Sequence, residues 1–263
     1  MESLFQAVIQ QIKSGTSVRS TSEASDDRSD RCPFNECDGS GWLYEQREDA
    51  QPVAYQCRCM DYRDQVRRLT GLFGSARIPR RYLGRLLRDL DPDRHPRAME
   101  AARAFVADWQ RVQAEGRWLF LSGPVGTGKT ALAYAILQEL LAKGVVGLAE
   151  TVPELMDYLR PGRDDHASDR LELCKRVDLL VLDDIGAQRT TEWVTERLFV
   201  ILDARYRDQR PTIITSNDHV ESLERLPGWR RITDRIVEAA QLVRMDGTSY
   251  RVEVARSRAA RTA

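Results

Sequence analysis

Residues 123–130 read Gly123-Pro124-Val125-Gly126-Thr127-Gly128-Lys129-Thr130, the complete G-x-x-x-x-G-K-T pattern of a phosphate-binding loop. This segment restricts the fold more than any other, because such a loop works only between a buried strand and the first turn of a helix. Its glycines let the backbone curl so that N–H groups point inward. The Lys129 ammonium can then reach the terminal phosphates and the Thr130 hydroxyl can ligate Mg²⁺. The flanks agree: residues 118–122 are apolar and residues 129–141 have the periodicity of a helix. A chance match in a chain of 263 residues has a probability on the order of one per cent at average residue frequencies.

A strand–loop–helix unit needs parallel neighbours, and the sequence supplies them. Residues 118–122, 145–149, 177–182, 212–216 and 241–245 read as buried strands separated by amphipathic helical segments, the pattern of a parallel sheet covered on both faces. In the helix before the fourth strand, Val194, Leu198, Ile201 and Leu202 fall on one face. The third strand ends in Asp183-Asp184. A carboxylate at a strand tip beside the loop can hold Mg²⁺ through water, which is the role expected of Asp183, and Asp184 stands where a general base would polarise an attacking water. Aspartate is one methylene shorter than the glutamate common at that place, which points to slow or partner-assisted catalysis. The fourth strand ends in Thr215-Ser216-Asn217, and Asn217 is the polar side chain expected to orient the water.

Composition bounds the remainder. Hydrophobic residues make up 42% and charged residues 30%, as in a globular protein. No apolar run approaches the roughly 20 residues of a membrane span, and the N-terminus lacks the basic-then-apolar pattern of a secretion signal, so a cytoplasmic location is expected. Forty basic and forty acidic residues cancel, so net charge carries no argument for nucleic acid. From Arg225 onward nine arginines face four acids, on charge alone a solvated face.

Four expected regions follow. Residues 1–13 form an amphipathic helix with Leu4, Phe5, Val8, Ile9 and Ile12 on one side, and it either docks on a partner or folds back onto its own protein. Residues 14–30 are a polar linker, residues 31–75 a cysteine module with a connecting charged helix that stops at Gly71 and Gly74, and residues 76–263 the α/β domain. The module holds Cys32-x4-Cys37, nineteen residues, then Cys57-x-Cys59. Clustered thiols in a chain with no secretion signal suggest metal before disulfide, and two close pairs can close a tetrahedral Zn²⁺ site. A module of some thirty residues has too little core to stand without such a staple. Cys174, beside Leu171 and Leu173, reads as a core thiol.

Taken together these residues resemble the DnaC/IstB-like AAA+ ATPases. The resemblance runs from about Ile78 to Arg251. It rests on Ile78-Pro79-Arg80-Arg81-Tyr82, on residues 123–130, on DLLVLDDIG at 178–186, and on Arg205-Tyr206 with PTIITSN at 211–217. Arg231-Ile232-Thr233-Asp234-Arg235-Ile236 and Gly247-Thr248-Ser249-Tyr250-Arg251 complete it. It implies an α/β P-loop NTPase of the AAA+ type, with a five-stranded parallel sheet flanked by helices, the lid reduced or absent, preceded by the zinc module. It also implies ATP and Mg²⁺ bound at the interfaces of a homo-oligomeric ring or spiral. Arg235, or Arg231 one turn earlier, matches the arginine finger, for which a guanidinium is suited by its permanent charge and paired hydrogen bonds. Ile78 and Tyr82 match the segment against the adenine, and Arg251 is a candidate for the sensor that a lid would carry.

The zinc module is similar to that of the helicase-loader branch. That branch implies a DnaB-type replicative helicase as partner, gripped by the module and residues 4–12, and placed on single-stranded DNA with ATP as a timing switch. Tyr158, Arg160 and Arg163 are the DNA-contact candidates. Two rivals stand beside it: an IstB-like helper that remodels DNA for a transposase, and a zinc adaptor that binds nucleotide with little hydrolysis.

Overall fold

The computed structural model describes residues 2–14, 31–45, 51–162, 166–187, 191–250 and 252. It divides into two compact units, residues 1–74 and 75–263. Most of the expected linker, residues 15–30, together with Arg163 and Arg251, lies outside the described residues.

In the first unit, helix α1 (Glu2–Ser14) and helix α2 (Cys59–Ser75) meet through Phe5 and Phe73, whose rings make an edge contact at 5.8 Å. Thr70 Oγ1 also donates to Gln11 Oε1 at 3.1 Å. Leu4, Phe5, Val8 and Ile9 are all buried, so the apolar face of α1 is folded back onto its own chain. The sequence reading stopped α2 at Gly71 and Gly74, but the helix runs through both to Ser75. Neither glycine has an atom within 4 Å of where a Cβ would stand. They lie on an open face, and the cost of about 1 kcal/mol for glycine in a helix is offset by burial of Leu69 and Phe73. Strands β1 (Trp42–Glu45) and β2 (Val53–Gln56) pair antiparallel, Trp42 opposite Gln56 and Tyr44 opposite Ala54.

The second unit is a parallel sheet. Its strands are β3 (Trp118–Ser122), β4 (Gly147–Thr151), β5 (Leu179–Ile185), β6 (Thr212–Ser216) and β7 (Ala240–Arg244), in the order β4-β5-β6-β3-β7. The phosphate-loop strand β3 therefore lies inside the sheet, with β6 on one side and β7 on the other, both parallel to it. Alternation along the strands sends Trp118, Phe120, Leu180, Leu182 and Ile214 to one face. There they join a core with Val194, Leu198, Ile201 and Leu202 from α8 (Glu192–Arg207) and Ile232 and Ile236 from α10 (Arg230–Ala239). Helices α3 (Pro96–Ala107) and α5 (Lys129–Ala142) cover the other face.

Three strands differ in their bounds from the sequence reading, β7 by one residue at each end and β4 and β5 by more. Strand β4 begins at Gly147, because Val145 N–H still closes the preceding helix on Leu140 O and Val146 N–H donates to Asp178 Oδ2. Gly147 lets α5 pack closely there: a Cβ would lie 2.4 Å from Leu137 Cδ1, which would have to shift. Strand β5 begins at Leu179, since Val177 caps α7 (Ala167–Arg176).

One buried guanidinium ties the strand starts together. Arg205 is fully buried, and its Nη1 donates to the carbonyls of Cys174 (3.0 Å) and Val177 (2.9 Å). Its Nη2 donates to Pro211 O at 2.6 Å and its Nε to Thr212 Oγ1 at 2.9 Å. The cation sits at the negative end of α7, and burial brings its pKa down to about 9. Arg205→Met takes the buried donor away from these carbonyls, of which Pro211 O keeps a backbone partner in Leu180 N–H, a loss of about 3 kcal/mol or more. Thermal unfolding of the full chain should fall by roughly 10 °C, at about 2–4 °C per kcal/mol for a unit of this size. Arg205→Lys should recover only part of this, because one ammonium cannot span the fork. An unchanged melting temperature for Arg205→Met would remove the staple from this account.

Candidate functional site

The loop after β3 turns into α5 through left-handed backbone at Gly128 (φ 105°). Its start is fixed to the neighbouring strand by Gly123 N–H donating to Ser216 O at 3.3 Å. Lys129 is buried, and its ammonium donates to the carbonyls of Gly123 (2.6 Å) and Pro124 (2.8 Å). Thr127 Oγ1 donates to Pro124 O at 3.0 Å, while Val125 at the tip is exposed. The segment after β7 closes against this loop. Met245 N–H donates to Ser122 O at 2.7 Å and Tyr250 N–H to Gly126 O at 2.9 Å. Among the described residues, those after β7 return to helix at Tyr250 and Val252.

Asp183 is the meeting point of the site. Its buried carboxylate accepts at Oδ1 from Thr130 (2.8 Å) and from Thr215 (2.6 Å), and at Oδ2 from the hydroxyl of Tyr134 (3.3 Å). Burial and the charge of Asp183 push the Tyr134 pKa well up, so this phenol remains a donor. Asp184 follows in left-handed backbone (φ 64°), where β5 carries one residue more than β6 between the pairs Leu182–Ile214 and Ile185–Ser216. Such a bulge re-aims a side chain that regular pleating would send to the opposite face. Asn217 Nδ2 donates to Asp184 Oδ1 at 2.7 Å. Burial, then the like charge of Asp183, raises the Asp184 pKa against the opposing pull of Lys129 and Asn217.

Thr130, Asp183, Asp184 and Asn217 are thus joined through Thr215 in one hydrogen-bonded constellation at the C-terminal end of the sheet, where ligands of open α/β sheets bind, and the charge of Lys129 acts on Asp184. Tyr82 is buried with its ring 5.0 Å from that of Tyr134, and Ile78 is half-buried. Gln138 clamps this segment to α5, donating to the carbonyls of Tyr82 (3.1 Å) and Arg85 (2.9 Å) and accepting from Gly84 N–H (2.7 Å). Sequence reasoning missed Tyr134 and Gln138. Tyr134 had a signal, since it lies four residues after Thr130 and so on the same helix face.

Arg231 and Arg235 occupy one face of α10, lying over the rings of Phe199 (4.5 Å) and Tyr206 (4.5 Å) of α8. Arg235 also donates to Asp203 Oδ1 at 3.2 Å, whereas Arg231 is exposed. Of the DNA candidates, Tyr158 rests on the core with Arg170 over its ring at 5.2 Å, which leaves it a poor stacking platform. Arg160 is exposed.

In the first unit the four thiols Cys32, Cys37, Cys57 and Cys59 come within 4.8 Å of one another. The Cys32–Cys57 sulfurs are 3.8 Å apart and the Cys37–Cys59 sulfurs 3.6 Å. A tetrahedral Zn²⁺ with Zn–S of about 2.3 Å sets sulfurs about 3.8 Å apart, whereas a disulfide needs about 2.05 Å; the residues fit the metal. Left-handed Asn35 (φ 54°) and its N–H to Cys32 O (3.0 Å) shape the turn between the first two thiols. Cys57 N–H donates to Gly41 O at 2.8 Å, anchoring the second pair. Burial opposes the Cys32 thiolate, but the N–H groups of Cys37, Glu36 and Phe34 bring its pKa down to about 6, while burial and the neighbouring thiols push Cys59 up to about 12. Cys174 is a buried core thiol of the second unit.

Comparison with known proteins agrees with this geometry. The replicative helicase loader DnaI of Bacillus subtilis (strain 168) is 29% identical over 213 residues, covering 75% of this chain and 68% of that protein. The replicative helicase loader DnaC of Escherichia coli (strain K12) is 32% identical over 142 residues, 53% of this chain and 56% of that protein. The chain thus matches only a little over half the length of DnaC. The crystal structure of the DnaC helicase loader superposes with a TM-score of 0.57 at 28% identity, over 64% of this chain and 99% of that one. With this sheet and loop the fold is that of an AAA+ P-loop protein. Residues 91–259, which include the loop, both acids and Asn217, match the model described as "IstB-like ATP binding protein", and the chain belongs to that family.

Proposed function

We propose that this chain is a Mg²⁺-dependent ATPase that engages a DnaB-type replicative helicase and delivers it to single-stranded DNA. The observation that carries the enzymatic half is the joined set Thr130–Asp183–Asp184–Asn217 beside the phosphate loop that holds Lys129. ATP would lie in the loop of residues 123–130, with Ile78 and Tyr82 on the adenine side. Mg²⁺ held by Thr130 and, through water, by Asp183 would neutralise charge on the phosphates. Asp184 takes the proton of the attacking water, which Asn217 orients. Two chains are needed to complete the site, a guanidinium of one facing the nucleotide of the next. Arg231 is favoured over Arg235 for this, because Arg235 is already engaged by Asp203.

The loading half rests on the relatives and the first unit. The match to DnaI covers 75% of this chain, more than residues 75–263 alone supply. Strands β1 and β2 expose Trp42, Tyr44, Val53 and Tyr55, large apolar side chains of the kind enriched where proteins dock. With α1 folded back, this hairpin is the surface offered to the helicase.

Three outcomes test the reading. Asp184→Asn should bind ATP with wild-type affinity yet lose about 100-fold or more in turnover, as expected for removal of a general base, in a steady-state phosphate-release assay. Purified full chain should carry about one zinc per chain by elemental analysis, and Cys57→Ser should lose it. A zinc-free preparation with four protected thiols would leave the cluster as plain core. Finally, the chain with ATP should retain the host's replicative helicase in a pull-down, and Cys57→Ser and Tyr44→Ala should not. No retention in any nucleotide state would overturn the loader reading and turn attention to duplex DNA and a transposase, as the rival reading of the sequence expects.

A further inference from the structure

Thr215 belongs to no part of the hydrolytic machinery described so far, yet it touches both acids. It lies in β6 and is buried to 1% exposure. Its hydroxyl donates to Asp183 Oδ1 at 2.6 Å, and the same oxygen accepts the backbone N–H of Asp184 at 2.9 Å. The location explains the need. At the bulge, two residues of β5 stand opposite one of β6, and the extra N–H of such a pair is left out of the ladder. A buried N–H without a partner is costly, and this one belongs to a residue held at φ 64°, which favours glycine over a carboxylate side chain. Thr215 supplies that N–H with an acceptor, and its β-branched side chain has few rotamers to choose from.

The donor side of the same hydroxyl fixes the carboxylate. Asp183 Oδ1 receives Thr130 from the phosphate loop and Thr215 from β6, so the oxygen turned toward the loop is held from both sides. We propose that Thr215 is a positioning residue for ATP hydrolysis: one hydroxyl sets the orientation of Asp183 and the backbone position of Asp184, without touching nucleotide. The inference rests on the ATPase reading above. It assigns a part to the strand-end threonine that is separate from that of Asn217, which bonds the Asp184 carboxylate directly.

The isosteric pair Thr215→Val and Thr215→Ser separates the hydroxyl from the packing volume. Steady-state hydrolysis, affinity for a fluorescent ATP analogue with Mg²⁺ and with EDTA, and thermal unfolding are measured on the full chain. Thr215→Val should lower kcat by about 10–100-fold, the scale of one lost orienting hydrogen bond, with affinity in EDTA unchanged. The gain in affinity on adding Mg²⁺ should shrink several-fold. Thr215→Ser should stay within about threefold of wild type on both readouts. A Thr215→Val protein equal to wild type overturns the proposal. So does equal damage in both variants, which would assign the effect to the lost methyl or to packing, and so does loss of EDTA affinity together with a lower melting temperature, which marks a folding defect. If the wild type itself hydrolyses no ATP, the ATPase reading fails, and Thr215 is still judged by the Mg²⁺ dependence of binding: a reduced gain in Thr215→Val supports its part and an unchanged gain ends it.

Discussion

The carboxylate of Asp183 is where separate stretches of the second unit are tied to one another. Thr130 reaches it from the first turn of α5, Tyr134 from the next turn, and Thr215 from β6. A buried carboxylate tolerates such a position only when hydrogen bonds replace water, and three donors from two stretches of chain provide them. The relation also runs the other way. With Asp183 in place, the loop helix, the acid-bearing strand and the strand ending in Asn217 have one mutual arrangement, and the phosphate loop opens over it. The parallel pairing of β3 with β6 brings these donors to the same end of the sheet.

The first unit is held together by different physics. Its hairpin exposes most of its side chains, and its described core at the thiols consists of Cys32, Cys57 and Cys59 with Phe34, Cys37, Leu43 and Met60 around them. Apolar burial on that scale is too small to fix a fold. The sulfur spacing suits a tetrahedral cation, and a bound cation would replace the missing core by coordination. Helix α2 starts at the fourth thiol and carries Leu69 and Phe73 to the face where Phe5 lies. The thiol cluster and the α1–α2 contact are therefore two ends of one helix. With Phe5 of α1 packed on Phe73 of α2, the large apolar side chains that the unit leaves exposed among the described residues are those of the hairpin, Trp42, Tyr44, Val53 and Tyr55.

Much of this was legible in the sequence, for identifiable reasons. The phosphate loop, the apolar runs of β3 and β6 and the acid pair are local patterns, each imposed by backbone sterics or strand burial, and they stand where expected. The boundaries of β4 and β5 slipped because Val145, Val146 and Val177 are as apolar as strand residues while serving turns and a helix cap. Gly71 and Gly74 misled for the opposite reason: glycine tolerates a helix wherever the other face is buried. The contact of Thr215 with the Asp184 N–H depends on a bulge in β5 that shifts the register by one, and no local pattern announces a bulge. Whether α1 docks elsewhere or folds back depended on Phe73, sixty-eight residues further along the chain.

The loop also contains a residue that its own motif does not explain. A phosphate loop requires glycine at the positions of Gly123 and Gly128, while that of Gly126 is free to vary. Here Gly126 is left-handed (φ 88°), and a Cβ on it would lie 2.0 Å from Ser249 Oγ. Its carbonyl accepts Tyr250 N–H, and Arg94, just before α3, has its guanidinium on Thr248 O and over the Tyr250 ring. Gly123 is crowded in the same way by Met245 O, 2.3 Å from a would-be Cβ. The glycines of this loop therefore serve two surfaces: an inner one shaped for phosphate, and an outer one against which residues 245–250 lie. On the ATPase reading, a shift of the loop on nucleotide binding would press directly on that segment. The middle glycine of the loop is the space that lets residues 249 and 250 come so close.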